Sequence, residues 1–397
     1  MKLADRLESI KPSPTLALNA KAKQLAAQGV DVVGFAAGEP DFATPEHITQ
    51  AAIDALKSGF TKYTATAGIP ELRAAIADKL KKENGLSYPP EQVIVSVGAK
   101  HALYNLFQAL LSPGDEVIIF CPYWVSYPDM VRLAGGTPVF VQGREENGFA
   151  PEPAELKKAL TPRTRAVIIN SPSNPTGAVL SRDALTAMAS VLREHDCLIV
   201  TDDIYEKLLY VPEPFVNIAN VAPELFERVV VVNGMSKAFS MTGWRLGYAA
   251  GPKPLIAAMQ MVQDQSTSNA SSITQKAGLA ALRGPVEPID QMVVEYKARR
   301  DLFVNGLNAI PGFHCRMPEG AFYVLPNIKG LLGKRYKDKP LTGSVQISEL
   351  LLEDFKVAAV PGAPFGAEGY LRMSFVTTRE QIQKGLDRIR EFALSLR

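Results

Sequence analysis

The residues that could do chemistry in this chain sit directly after short apolar runs. VVVVN (229–233) is followed by Gly234, Ser236, Lys237 and Ala238, and Arg245 comes eight positions after Lys237. A lysine held among small and apolar residues at a strand end is poorly solvated; its pKa then falls, and the neutral amine can attack a carbonyl. Arg245 can hold a phosphate by two parallel hydrogen bonds. The competing use of Lys237 is as a surface side chain reaching into water. CLIVT (197–201) leads into Asp202, Asp203, Ile204 and Tyr205. A carboxylate ending a buried strand needs a cation to meet it. A helical turn from Asp202 would bring Tyr205 back to the same region. The plain alternative for Asp202 is a helix N-cap.

Four more junctions carry candidates. RAVIIN (165–170) runs into Ser171-Pro172-Ser173-Asn174-Pro175-Thr176-Gly177, a rigid turn that holds an amide able to donate and accept, or simply a turn. VIVSV (93–97) runs into Gly98-Ala99-Lys100-His101, which opens a helix. Free N–H groups and a positive dipole end there suit a phosphate, although many such turns need glycine for steric reasons alone. EVIIF (116–120) precedes Cys121-Pro122-Tyr123-Trp124, whose indole can stack on a flat ring or pack in a core. Arg372 lies inside the largely apolar YLRMSFV (370–376). Buried, it needs an anion; on an edge strand it would face water.

The elements that position these groups follow from the pattern. TPVFV (137–141) and RLGYAAG (245–251) add to the strand runs, and helix-like segments cover 99–111, 153–160 and 181–195. Alternation of this kind predicts an α/β fold with a mostly parallel sheet flanked by helices. Continuously hydrophobic strands predict that both sheet faces are covered. After residue 295 the texture changes: YKARRDLFVNGLNAI and QIQKGLDRIREFALSL read as helices, and AFYVLPNI, VAAVPGAPFG and YLRMSFV as short strands. We expect a large domain over 46–295, a smaller α+β domain over 296–397, and an N-terminal segment, 1–45, packing on the smaller domain. The stretch GLLGKRYKDKPLTGS (330–344) reads as an exposed loop.

A chain of 397 residues with 21% charged residues and a net charge of +2 carries no long basic run, which argues against nucleic-acid or membrane partners. Three scattered cysteines and four histidines without ligand spacing predict neither a disulfide framework nor a metal site. With no apolar leader at the start, a cytoplasmic protein is expected.

Taken together, the candidates offer a phosphate seat, a stacking plate, an acid for a ring nitrogen, partners for a ring oxygen, and a lysine for an aldehyde. That set fits pyridoxal 5'-phosphate. The chain resembles the class I, fold-type I aminotransferases, of the bacterial aspartate aminotransferase branch. The likeness rests on AAGEPDF (36–42), KYTATAGIPELR (62–73), YWVSYPDM (123–130), SPSNPTGAV (171–179), DDIYEKLLY (202–210), SKAFSMTGWRLGY (236–248) and LRMSF (371–375). The resemblance implies that Lys237 forms the Schiff base with the cofactor and moves the substrate proton. It implies that Asp202 faces the pyridine nitrogen, that Tyr205 and Asn174 bond the ring's phenolic oxygen, and that Trp124 stacks on the ring. Ala99, Lys100, Ser236 and Arg245 would hold the phosphate. Tyr63 would reach the neighbouring subunit's site, which implies a homodimer. Arg372 would clamp the α-carboxylate of an amino acid or 2-oxo acid, with Asn174, Trp124 and Gly38.

For the distal carboxylate of a dicarboxylic substrate, the resemblance points to Lys100, with Ser13 and Thr15 nearby. Aspartate and 2-oxoglutarate are the expected pair, with prephenate the alternative or a second activity. His101, Asp203 and Cys121 depart from the family's usual pattern; a protonated His101 would add charge beside the phosphate. An effector-binding regulator on the same fold is opposed by the lack of a basic DNA-binding segment before residue 36. β-Elimination from a sulfur amino acid would keep Lys237 and Arg372 and dispense with the distal cation.

Overall fold

Seven of the apolar runs form one sheet. The computed structural model describes residues 1–10, 12 and 14–397, with residues 14–16 and 19 described by backbone alone. The strands are β1 (Val93–Ser96), β2 (Glu116–Cys121), β3 (Thr137–Gln142), β4 (Thr164–Asn170), β5 (Leu198–Asp202), β6 (Val229–Gly234) and β7 (Gly247–Ala250). They lie in the order β1-β7-β6-β5-β4-β2-β3. From β3 across to β6 every pairing is parallel. β7 runs antiparallel to both β6 and β1.

The unbroken hydrophobicity of these strands now has its reason. Side chains alternate between faces. Val95, Ile118, Val167, Ile199 and Val231 fall in one buried cluster, while Ile94, Val117, Ile168, Val200 and Val230 fall in another. Around the sheet stand α1 (Pro70–Asn84), α2 (Ala99–Leu110), α3 (Ser126–Leu133), α4 (Arg182–Leu192) and α5 (Lys253–Asp264). Leu72 and Leu80 of α1 and Leu185 and Met188 of α4 belong to the first cluster. Leu103 and Phe107 of α2, Met130 of α3 and Met259 of α5 belong to the second. Each such side chain contributes roughly 1.5–3 kcal/mol by leaving water, so the sheet is a rigid base for whatever its strand ends carry.

A second, smaller group of elements is built from both ends of the chain. Leu371–Ser374 is the middle strand of three, between Val360–Pro361 and Tyr323–Val324, both antiparallel to it. Val33–Gly34 pairs in parallel with Val357–Ala358. α6 (Glu287–Asn308) and α7 (Arg379–Leu394) complete this part. α6 begins nine residues before the helix expected from YKARRDLFVNGLNAI, with Glu287 and Asp290 in its first turn, where acids suit the helix dipole. The 330–344 stretch is more ordered than a plain loop. It holds an antiparallel hairpin, Arg335–Tyr336 with Lys339–Pro340, and the turn residues Lys337 and Asp338 both have positive φ. A Lys-Asp turn lacks the glycine that usually announces this geometry. Among the described residues, no helix is long and apolar enough to cross a membrane.

Candidate active site

The carboxyl ends of β4, β5 and β6 open on one side of the sheet, next to the N-terminus of α2. There a cavity of about 380 Å³ forms, within the size range of small-molecule and cofactor sites. The residues given a cofactor or substrate role from the sequence all line it except Tyr63, Ser13 and Thr15; His101, Asp203 and Cys121 do not. Tyr63 is 89% exposed on its own chain. Ser13 lies outside the described residues, and Thr15 is described only as part of the helix Pro14–Ala27.

Lys237 reaches into the cavity and donates to the Gly38 carbonyl. Its ammonium lies 5.7 Å from the Phe322 ring centre and 5.9 Å from that of Tyr205. Burial pulls its pKa down to about 8, against a smaller upward pull from Glu39. The expected neutral fraction of the amine therefore has a physical cause in the structure. Asp202 is 4% exposed at the end of β5. It accepts a hydrogen bond of 2.7 Å from the Tyr127 hydroxyl and a longer one, 3.4 Å, from the Ile204 N–H. Burial raises its pKa to about 6, while Tyr127 works in the opposite sense.

Asn174 is fixed by its neighbours but offers its side chain to the cavity. Asn170 Oδ1 accepts from the Asn174 N–H at 2.9 Å, and Asn170 Nδ2 donates to the Asp202 carbonyl at 2.8 Å. Asn174 Oδ1 is buried and has no hydrogen-bond partner. The Tyr205 hydroxyl bonds that of Tyr323 at 2.9 Å.

The candidate anion seat is backbone in origin. Gly98 has φ +86° and no side-chain cap covers the start of α2. His101 and Ala102 N–H groups bond back to the Gly98 carbonyl, which leaves Ala99 and Lys100 N–H groups free for an anion. A Cβ on Gly98 would lie 2.6 Å from Arg245 Nη2, so glycine is what lets the guanidinium approach the helix end. Arg245, itself at φ +57°, is anchored to the Thr242 carbonyl at 2.8 Å.

Arg372 is 2% exposed on the central strand of the three-stranded sheet, not on an edge. Nη2 donates to the Ala36 carbonyl at 2.6 Å, and Nε has no acceptor. Among the described residues no carboxylate pairs with it. Lys100 lies 4.8 Å over the Trp124 ring. Its pKa is lowered first by burial and then by Arg245, and among the described residues it too has no carboxylate partner. Trp124 meets Tyr127 edge to face.

His101 is not the extra charge that a protonated ring would bring. Its Nδ1 accepts the Val97 N–H at 3.3 Å, and burial lowers its pKa, so the ring is neutral at pH 7. Cys121 is buried, its thiol pushed up to about 12. Tyr127, Asn170 and Tyr323 were missed in the sequence. Asn170 obeys the rule that found Asp202, a polar residue closing an apolar strand. Tyr127 lies one helical turn beyond Trp124. Nothing local links Tyr323 to Tyr205.

The side chains fit pyridoxal phosphate: an anion seat, the Asn174 amide with a pair of tyrosine hydroxyls, an aromatic plate, a buried carboxylate and a desolvated amine converge on one cavity. Comparison with known proteins agrees. The model of "Aminotransferase class I and II" matches residues 30–389. An aspartate aminotransferase of Geobacillus stearothermophilus is 51% identical over 99% of both chains. An aspartate/prephenate aminotransferase of Nitrosomonas europaea is 48% identical over 98% of this chain and 99% of its own. The solved aspartate aminotransferase of Thermus thermophilus with maleate is 48% identical, with a TM-score of 0.92 over 98% of this chain and 99% of that one. With its motifs, fold and cavity all of one kind, the chain belongs to the class I and II aminotransferases.

Proposed function

We propose that the chain transfers the amino group of L-aspartate to 2-oxoglutarate, giving oxaloacetate and L-glutamate, with pyridoxal 5'-phosphate as cofactor. The observation that carries this reading is a pair of cations lining one cavity: Arg372, buried, and Lys100, more exposed, neither paired with a carboxylate among the described residues. A dicarboxylic substrate supplies both missing charges. The relatives named for aspartate, and the Thermus structure with the dicarboxylate maleate, support the same assignment.

The cofactor supplies an electron sink for the charge left at the substrate Cα. Ala99 and Lys100 N–H groups, Ser236 and Arg245 would hold its phosphate. Trp124 would cover the ring, and Tyr205 and Asn174 would bond the ring oxygen. Asp202 would face the ring nitrogen with its carboxylate. Arg372 would orient the α-carboxylate, with Asn174, Trp124 and Gly38, and Lys100 would take the distal one. Lys237 would be the amine that holds the cofactor aldehyde and, when free, the base whose Nζ takes and gives back the substrate proton. A depressed pKa suits that base, since the amine must be unprotonated to act.

The larger assembly belongs to the same proposal: a cytoplasmic homodimer in which the exposed Tyr63 reaches the neighbouring site, a large domain over 46–295, and a smaller one over 296–397 that closes with residues 1–45 to exclude water. The Nitrosomonas relative supports a second activity on prephenate, which also carries two carboxylates. Oxaloacetate release from aspartate, with phenylalanine and prephenate in parallel, tests the assignment. Turnover of aspartate that Lys237→Ala abolishes is expected, and Lys100→Gln should weaken aspartate far more than phenylalanine. Normal turnover in Lys237→Ala would overturn the reading, as would pyruvate from cystathionine without any oxo acid.

A further inference from the structure

Behind the strand end that carries Asp202 lies a second set of buried charged groups that the proposed reaction does not use. Asp203 follows Asp202 and points to the opposite side, where Asn217 Nδ2 donates to its Oδ2 at 2.9 Å and the Thr201 hydroxyl bonds it at 3.3 Å. One turn on, Glu206 pairs with Lys79 of α1. Glu206 Oε2 accepts from Asn84 Nδ2 at 2.6 Å, and Oε1 from Asn233 Nδ2 of β6 at 2.8 Å. Lys79 also donates to Asn84 Oδ1 at 2.7 Å. Asp203, Glu206, Lys79 and Asn233 are all less than a tenth exposed. Main-chain bonds tie this set to the strand ends, with Asp203 N–H to the Val232 carbonyl and Glu206 N–H to the Asp203 carbonyl.

We propose that Asp203 and the Lys79–Glu206 pair are positioning residues for Asp202, fixing the strand end from the far side of the sheet and presenting no net charge to it. This rests on the reading that Asp202 is the acid facing the cofactor ring. The reason is electrostatic. Two adjacent buried carboxylates cannot both ionise cheaply, so a negative Asp203 would push Asp202 toward its neutral form and remove the charge the ring nitrogen needs. Burial raises the pKa of Asp203 well above the carboxylate range, reinforced by Glu206, while Asn217 and Lys79 act the other way. Burial and Glu206 therefore both work against a charge on Asp203. Lys79 cancels Glu206. Of the other charged groups nearby, Glu83 lies 3.8 Å from Lys79 and is paired with Lys207 at 2.7 Å. Tyr88, Tyr127 and Tyr248 also feel Asp203, and burial holds their hydroxyls protonated.

The test needs no turnover. In the full-length cofactor-free chain, with carboxyl-labelled aspartate, the Asp202 resonance is identified by its loss in Asp202→Asn and titrated with pH. Lys79→Met leaves Glu206 unbalanced and should move the Asp202 titration up by about half a pH unit; Glu206→Gln should move it down by about as much. The double variant should return it to the wild-type position, and Asp203→Asn should leave it there. A merely structural cluster would lower stability in these variants without opposite shifts. Equal titrations in both single variants would overturn the proposal, as would a downward move in Asp203→Asn, which would mean that Asp203 is ionised. If Lys79→Met does not fold, Glu206→Gln and Asp203→Asn still decide it. Failure of the wild-type chain to transaminate aspartate would sink the proposed function instead, and would leave this titration standing.

Discussion

Lys237→Met should make the cofactor-free chain more stable at pH 7. The lysine's ordinary pKa of 10.5 falls to about 8 in the folded chain, with burial the largest cause. Between those values the unfolded chain holds a proton that the folded chain gives up. Below about pH 8 both states are protonated, and the fold carries the whole penalty of a poorly solvated ammonium. As pH rises from about 8 toward 10.5 the penalty fades, because the amine is neutral in the fold and the unfolded state loses its advantage. At about 1.4 kcal/mol per pH unit the shift corresponds to about 3 kcal/mol. The side chain is only partly shielded by its cavity, and methionine forfeits the bond to the Gly38 carbonyl. A gain of about 1–2 kcal/mol at pH 7 is therefore the working figure. Urea unfolding of wild type and variant, each without cofactor, at pH 7 and pH 10 reads it directly. The difference should shrink on going to pH 10, while shifts common to both proteins cancel. A variant less stable than wild type at pH 7, or an advantage that persists unchanged at pH 10, would refute the claim that Lys237 is strained toward its neutral form.

Three further outcomes follow from the site. Gly98→Ala places a Cβ at φ +86° and 2.6 Å from Arg245 Nη2, a strain of roughly 1–3 kcal/mol; equilibrium dialysis should show pyridoxal phosphate binding at least about tenfold weaker. Tyr127→Phe removes the bond that holds the Asp202 pKa down; with the carboxylate lost at higher pH than before, cofactor affinity at pH 6.5 should fall roughly tenfold and recover by about pH 8.5. His101→Gln should change kcat/KM for aspartate by less than about twofold at pH 8, because the ring it replaces is already neutral.

The large sheet and its strand-end residues were legible because one physical rule governs both. A strand buried on two faces is largely apolar, so polar groups at or just past its end are conspicuous: Asp202 closing β5, Lys237 beyond β6, Asn174 beyond β4. That rule loses its force in the smaller part. Its strands are two to four residues long, too short for a pattern, and Arg372 sits inside one rather than after it. Read alone, it passes for an edge arginine; only the order of three strands, with Leu371–Ser374 in the middle, shows that it is not on an edge. Tyr323 is hidden for a related reason, since its bond to Tyr205 spans 118 positions. Asp203 marks the sharper limit. In the sequence it is one more acid beside Asp202, and alternation predicts only that it faces the other way. What it faces comes from α1, β6 and the segment around Asn217, which the fold alone brings together. Since the charge on Asp202 depends on the charges behind it, the chemistry of the cavity depends on residues that no strand-end rule could select.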